Sequence, residues 1–276
     1  MNRLEEIKER ISLSTFVFYN YAPIDRTALE QISKAGIHKI ELLESPQQFD
    51  MSDINSMHHL FDICQSTGIS IISYHSQFVN PTGIESETEL AKLTDICKRQ
   101  IDTLQEAGGN FWASHARIAD RSVYKLYEEL LRFVEGTHMT LGIENFTRSG
   151  MWVQDRMDFI HRINHPQLGI LLDIGHVRDT DGKNPMTYPC GPEQILHLCG
   201  NKLFHVHLHG FKKGVDHFPP LCNGDEIQWN EIFTTLRDTK YQGYFNFEPM
   251  GLPKHKDTLS RVSGMPEAIA RIFNER

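Results

Sequence analysis

The chain has 276 residues, of which 39% are hydrophobic, and its mean hydropathy of −0.40 is typical of a globular protein without bilayer-spanning segments. Its 28 Lys plus Arg against 36 Asp plus Glu give a net charge of −8, which disfavours a broad phosphate-binding surface. Its five cysteines include no C-x-x-C pair, which argues against a disulfide framework and a thiolate zinc site.

The opening stretch, MNRLEEIKERISLS, is charged throughout and lacks the apolar segment of a signal peptide, which predicts a cytoplasmic protein. Beyond it, short apolar runs alternate with amphipathic helical stretches. We predict eight strands, at ISLSTFVF (11–18), IHKIELLE (37–44), ISIISYH (69–75), NFWASH (110–115), MTLGIEN (139–145), LGILLDIGH (168–176), LFHVHLHG (203–210) and YFNFEPM (244–250).

Helix-like stretches follow these strands, and several of them close with glycine, which commonly ends a helix. Before the sixth helix, at QILHLCG, the stretch DTDGKNPMTYPCGPEQ reads as an inserted loop. No linker or low-complexity segment divides the chain. Eight strand–helix units at this length predict an α/β fold, a single (β/α)₈ TIM barrel that spans residues 1–276.

Polar residues stand at the ends of most of the predicted strands. In a (β/α)₈ barrel the carboxyl ends of the strands carry the active site, so a charged residue there is a candidate for chemistry. The candidates are Tyr74, His75, His115, Glu144, Asn145, Asp173, His176, His207, His209 and Glu248.

The seventh strand places three histidines at alternate positions. Because successive side chains of a strand point to opposite faces, His205, His207 and His209 share one face. Buried hydrogen-bonded imidazoles, a solvated face and an accident of a chain with 15 histidines are the plainer readings. The pattern predicts a strand with functional side chains on one of its two faces.

Four strand-end residues recur at nearly the length of one strand–helix unit. Glu144, Asp173, His207 and Glu248 are 29, 34 and 41 residues apart, so each unit would deliver one ligand to a common point. Three carboxylates and one imidazole suit Mn²⁺, Co²⁺, Mg²⁺ or Zn²⁺. The alternative is that these acids form salt bridges, or that they hold metal ligands in place without binding the ion themselves.

The motifs LGIEN, LLDIGH, HVHLHG and FNFEP resemble the ends of strands five to eight in the xylose-isomerase-like barrel superfamily, which includes sugar isomerases, epimerases and endonuclease IV. SYHSQFVNPTG, SHARIADR and VDHFPPLCNGDEIQW extend the resemblance over nearly the whole chain. The resemblance implies that Glu144, Asp173, His207 and Glu248 hold one divalent ion. It also implies that His176 contacts substrate or a further metal, and that His205 lies deeper than His207.

The first hypothesis is a metal-dependent isomerase or epimerase of a small sugar or sugar phosphate. Glu144 and Glu248 would exchange protons on opposite sides of an enediolate. The expected substrate contacts come from His75, His115, His176, Arg148 and His209, although Arg148 reads equally well as a solvated loop residue and His209 as a residue of the rim. The expected protein is not membrane-bound, and a homo-oligomer is left open.

The second hypothesis is an endonuclease IV-like zinc phosphodiesterase acting on abasic DNA. Further zinc ions would then use His75, His115, His176, Asp216 and His217. Against this reading, Asp216 and His217 are adjacent, so their side chains are expected to project differently, and the acidic chain makes nucleic acid an unexpected partner. A metal-stabilised barrel that serves only as a binding module is the third reading.

Overall fold

The computed structural model describes residues 2–19, 24–45, 48–49, 53–76, 84, 86–116, 121–148, 150–251 and 256–275. Two motif stretches, QFVNPTG at 77–83 and RIAD at 117–120, therefore lie outside the described residues.

The core of the fold is a closed barrel of eight parallel strands, as predicted. Around the barrel the order is β1, β10, β7, β6, β5, β4, β3, β2, with the last strand returning to the first. The barrel strands are β1 (Ile11–Ser14), β2 (Lys39–Leu43), β3 (Ser70–Ser76), β4 (Phe111–Ser114), β5 (Thr140–Glu144), β6 (Leu168–Asp173), β7 (Leu203–Leu208) and β10 (Phe245–Phe247).

Helices follow the strands and cover the outside of the barrel. The described helices are α1 (Arg3–Lys8), α2 (Arg26–Lys34), α3 (Ile54–Thr67), α4 (Glu87–Glu106), α5 (Arg121–Val134), α6 (Val153–Ile163), α7 (Gly191–Cys199), α8 (Trp229–Asp238), α9 (Thr258–Ser263) and α10 (Met265–Asn274). The predicted sixth helix is α7, and the loop before it holds a short 3₁₀ turn, Pro185–Thr187. Among the described helices, none is both long enough and apolar enough to cross a membrane.

Two local features differ from the sequence prediction. The first strand ends at Ser14, because the Ser14 hydroxyl accepts a hydrogen bond from the Phe16 amide and starts a 3₁₀ helix over Thr15–Phe18. After the seventh barrel strand an antiparallel hairpin, β8 (Gly210–Lys212) and β9 (Val215–Phe218), stands over the mouth of the barrel. Its two-residue turn has positive φ at Lys213 and Gly214, as tight hairpins require.

Tyr127 of α5 ties the helical layer to the barrel. Its buried hydroxyl lies 3.0 Å from Ser114 Oγ and donates to the Gly142 carbonyl oxygen at 3.0 Å. Tyr127→Phe removes both bonds from a buried site, so we expect the free energy of unfolding to fall by about 1 to 3 kcal/mol. Urea denaturation measures this change.

Tyr124 on the same helix is a matched control. Its ring packs against Phe159, as the Tyr127 ring does, but its hydroxyl accepts from Arg162 at the surface. Tyr124→Phe should therefore change the free energy of unfolding by less than about 0.5 kcal/mol. Equal losses in the two variants would contradict the assigned role of Tyr127.

Candidate metal centre and active site

The four residues of the spaced set lie together at the carboxyl ends of the strands. Glu144 and Asp173 are the last residues of β5 and β6, and Glu248 directly follows β10. Asp173 and Asn246 are the register partners of His207 on the two strands beside β7. Parallel pairing thus places Asp173 level with His207 on one side, and Glu248 lies two residues beyond Asn246 on the other side.

The atom His207 Nδ1 is the common point of this set. It lies 3.0 Å from Glu248 Oε2, 3.6 Å from Glu144 Oε1 and 3.8 Å from Asp173 Oδ2. All four side chains are buried. The structure therefore brings the four residues to one small volume.

A second group meets on the other oxygen of Glu144. His75 Nε2 lies 2.7 Å and His115 Nε2 2.5 Å from Glu144 Oε2. His75 Nδ1 also lies 3.7 Å from Glu248 Oε1, so this imidazole stands between the two glutamates. His115 is the more accessible of the two histidines.

A third group forms where the β8–β9 hairpin folds over the barrel. His176 Nε2 lies 3.5 Å from Asp216 Oδ2, and the His217 ring centroid lies 5.3 Å from that of His176. The prediction that adjacent Asp216 and His217 project apart is wrong, because His217 has a φ of 56° and the left-handed backbone turns its ring back toward the site. His217, His176 and Asp173 bring ligand atoms within 4.8 Å of one another.

His209 is fully buried behind Asp173. Its Nε2 lies 3.1 Å from both Asp173 carboxylate oxygens, and its Nδ1 accepts a hydrogen bond from the His217 backbone amide at 2.9 Å. Because Nδ1 accepts from that amide, Nε2 carries the hydrogen and donates to Asp173. The His209 and His217 rings are stacked 4.1 Å apart.

The other predicted residues lie farther from the common point. The Arg148 side chain is exposed, with its guanidinium carbon 5.7 Å from the centroid of the Phe146 ring. His205 is buried one layer deeper than His207 and stacks on Phe111. Asn145 holds the backbone of Asp173: its side-chain amide donates to the Asp173 carbonyl and accepts from the Asp173 amide, both at 2.9 Å.

Buried carboxylates dominate the electrostatics of the site. Burial would raise the pKa of Glu144, but His115 and His75 hold it well below its ordinary value. Burial likewise opposes a low pKa at Glu248, which His207 keeps far below its usual range. In the described part of the chain, every recorded ion-pair partner of the Glu144, Asp173 and Glu248 carboxylates is an imidazole.

Many of these polar atoms are close to one another without being aligned for hydrogen bonds. Among the described residues, no hydrogen-bond partner is found for either carboxylate oxygen of Glu144 or for either ring nitrogen of His75 and His207. The same holds for His115 Nε2 and His176 Nδ1, and all of these atoms are buried. Buried polar groups are normally satisfied. Lone pairs that converge without donors fit a divalent cation bound by oxygen and imidazole ligands.

Of the residues with unpartnered atoms, His75, His115, Glu144 and His176 line a cavity of about 460 Å³ at the barrel mouth. Its size suits a small molecule. Phe16, Phe146 and Met250 supply the apolar part of the wall. The polar part comes from His75, His115, Glu144, His176, Asp216, His217 and Glu248.

Two functional residues were not predicted. Glu41 of β2 is fully buried and lies 2.8 Å from His207 Nε2; its only sequence signal is an acid inside the apolar run KIELL. Arg156 of α6 is also fully buried and donates to the carbonyl oxygens of Glu144 at 2.6 Å and Ala116 at 2.5 Å. An arginine on an amphipathic helix is normally expected at the surface, so the sequence does not indicate that Arg156 is buried beside the site.

Residues 29–270 match a family model described as xylose isomerase-like TIM barrel. A comparison with curated proteins finds no match.

Solved structures share the fold over nearly the full length of the chain. A xylose isomerase-like TIM barrel protein from Mycobacterium smegmatis, in complex with magnesium, is 14% identical with a TM-score of 0.71, covering 99% of this chain and 98% of that one. A 3-keto-D-glucoside 4-epimerase from E. coli is 16% identical with a TM-score of 0.70, covering 95% and 98%. A D-allulose 3-epimerase from Methylomonas sp., in complex with D-allulose, is 18% identical with a TM-score of 0.68, covering 95% and 93%.

Cation binding should release protons. Burial would lower the pKa of His207, but Glu248 and Glu41 raise it well above its ordinary value. Burial would also lower the pKa of His75, but Glu144 raises it to about 10. These rings are therefore protonated at neutral pH when no cation is bound, and a cation must displace a proton. We expect the affinity for Mn²⁺ to rise from about pH 6 to about pH 8, since fewer protons compete at higher pH.

Titration calorimetry with Mn²⁺ in two buffers of different ionisation enthalpy measures the released protons. His197→Ala on α7 is the control, because His197 is an exposed histidine that pairs with Glu193. It should leave the binding heat unchanged. A binding heat that does not depend on the buffer, with an affinity that is flat in pH, would contradict proton displacement.

Proposed function

Because the chain belongs to the xylose isomerase-like TIM barrel family, we propose that it is a divalent-metal-dependent isomerase or epimerase of a small sugar or sugar derivative. The observation that carries this proposal is the pair Glu144 and Glu248, which line one cavity and flank His75 between them. A pair of carboxylates on one small-molecule cavity suits removal and return of a proton.

We assign the cation to Glu144, Asp173, His207 and Glu248. His207 Nδ1 supports this choice, since it lies within 3.8 Å of an oxygen from each of the three acids. The chemistry that a divalent ion supplies when bound is Lewis-acid polarisation of a carbonyl, which acidifies the neighbouring C–H bond. Mn²⁺, Co²⁺, Mg²⁺ and Zn²⁺ all suit these ligands.

The two glutamates then exchange a proton with the sugar. One carboxylate removes the proton from the carbon beside the carbonyl, and the substrate becomes an enediolate. The other glutamate, in its protonated form, delivers its proton to the opposite face for epimerisation, or to the neighbouring carbon for isomerisation, so that the two glutamates end with their protonation states exchanged. Within the described part of the chain no hydrogen-bond donor is aligned with either oxygen of Glu144, which leaves its lone pairs available for a ligand or a proton.

The remaining contacts hold the sugar. We propose that His115 and His176 bind hydroxyl groups, since both face the cavity, and that His75 orients the two glutamates as well as the substrate. The faces of Phe16 and Phe146 suit the C–H faces of a sugar. His209 acts on the substrate through Asp173 in this scheme, and Arg148 contributes from the rim above Phe146.

A zinc phosphodiesterase acting on abasic DNA is the second candidate. It is favoured by the left-handed turn at His217, which places both Asp216 and His217 beside His176. Three of the four neighbouring groups of ligand atoms in the described residues would then be available for three ions. The net charge of −8 weighs against a polyanionic substrate.

Glu248→Gln preserves the shape of the side chain but removes its basicity and its negative charge. We expect turnover to fall by about 10²-fold or more, because a positioned base contributes at least that much. The measurement is exchange of the carbon-bound proton of D-allulose and other free ketoses with deuterated solvent, followed by NMR. Glu129→Gln on the exposed face of α5 is the control. Near-normal turnover in Glu248→Gln would remove the glutamate from proton transfer.

The number of bound ions separates the two candidate functions. We expect one divalent ion per chain after purification without chelator, and the same number in His115→Ala, because two ions about 3.5 to 4 Å apart repel unless a bridging anion offsets the charge. Elemental analysis of the purified protein decides this. Two or three zinc ions per chain, with one lost in His115→Ala, would instead support the phosphodiesterase, and nicking of abasic DNA would then be the activity to assay.

A further inference from the structure

Glu41 lies directly below His207 inside the barrel. Its carboxylate accepts hydrogen bonds from Asn246 Nδ2 on Oε1 at 2.9 Å and from Ser73 Oγ on Oε2 at 2.8 Å. The same two oxygens lie 2.8 Å from His207 Nε2 and 3.1 Å from His205 Nε2. The interior of a barrel is normally filled by apolar side chains, so a fully buried acid at this position is costly and calls for a role.

Hydrogen bonds hold Glu41 from two other strands, and a third strand holds one of the two donors. Ser73 belongs to β3 and Asn246 to β10, and Ser12 of β1 in turn donates to Asn246 Oδ1 at 2.8 Å. The carboxylate therefore cannot rotate away from His207 without breaking these bonds. A fixed anion next to an imidazole is what sets the orientation of that ring.

The contact also decides which nitrogen of His207 bears hydrogen. An unprotonated Nε2 would bring its lone pair within 2.8 Å of a carboxylate oxygen, which is repulsive, so Nε2 carries the hydrogen although the contact is not aligned as an ideal hydrogen bond. When a cation displaces a proton from the ring, Nδ1 is then the nitrogen that loses its hydrogen and offers a lone pair. It is the nitrogen that faces Glu144, Asp173 and Glu248.

We propose that Glu41 is a positioning residue that keeps the hydrogen of His207 on Nε2, so that Nδ1 faces the three outer carboxylates and is the nitrogen that binds the cation. This inference rests on the metal-dependent function proposed above. A carboxylate behind a ligating histidine orients the ring and strengthens it as a donor, and removing such a partner typically weakens metal binding by about 10- to 100-fold. Glu41 itself contacts neither the cation nor the substrate in this assignment.

The first test needs no variant of Glu41. The wild-type protein, labelled with ¹⁵N-histidine and loaded with ¹¹³Cd²⁺, should show His207 coupled to cadmium through Nδ1 and protonated at Nε2. The signal is assigned by its loss in His207→Gln. Coupling through Nε2 would overturn the proposal, as would an unchanged His207 signal in the loaded protein, because His207 would then not be a ligand of the cation.

The second test compares Mn²⁺ affinities by electron paramagnetic resonance of the free ion. We expect Glu41→Gln to weaken binding by about 10- to 100-fold. Glu44→Gln is the matched control, because that carboxylate directly follows the same strand but accepts from Ser76 at 2.7 Å and from Gln100 of α4 at 3.1 Å, on the helix side of the sheet. It should bind as the wild type does.

The outcomes separate the two proposals. Wild-type affinity in a folded Glu41→Gln protein would reject the role of Glu41 and leave the metal-dependent function standing. Equal weakening in Glu44→Gln would also reject it, since the effect would then be a general one on the barrel. A wild-type protein that binds neither Mn²⁺ nor Cd²⁺ would reject the metal-dependent function and the inference together.

Discussion

Four carboxylates buried at one end of a barrel, with imidazoles as their charge partners, are the constraint around which the rest of the structure is arranged. An isolated buried carboxylate is too costly to keep, and a buried ion pair is retained only with good geometry and further hydrogen bonds. Eight parallel strands supply that setting, because their carboxyl ends meet on one rim and each strand brings one or two side chains to it. The histidines of β7 are then both partners of the acids and part of the site.

The acids differ in the hydrogen bonds that offset the cost of burying their charge, and this difference separates them by role. The Asp173 carboxylate accepts from the amides of Gly175 and His176 and from the His209 ring. Glu41 accepts from two side chains, one on the adjacent strand β3 and one on β10. Among the described residues Glu144 accepts from none, although four imidazoles stand within 3.6 Å of it. Glu144 is therefore the acid for which a bound cation matters most, and Asp173 the one already held in place before any ligand arrives.

The sequence predicted the barrel because both of its signals are local. A strand shows as a short apolar run, and a site residue shows as a polar residue where that run stops. Glu41 was not predicted because it lies in the middle of an apolar run, with no histidine or turn beside it. The pairing of Asp216 with His217 was misjudged for another reason: alternation assumes extended backbone, and a positive φ at a residue other than glycine leaves no mark in the sequence. The β8–β9 hairpin was missed although Lys213 and Gly214 form its turn.

Arg156 shows how far the site extends beyond the residues that face the cavity. Its guanidinium joins the carbonyl of Glu144 to that of Ala116, the neighbour of His115, so one helix residue sets the spacing between two strand ends. Lysine offers no planar fork with which to bridge two carbonyls in this way. Two homologues with identical ligands but different residues at this position would therefore differ in the shape of their cavities. A comparison of the ligand residues alone would group such proteins together although their substrates need not be the same.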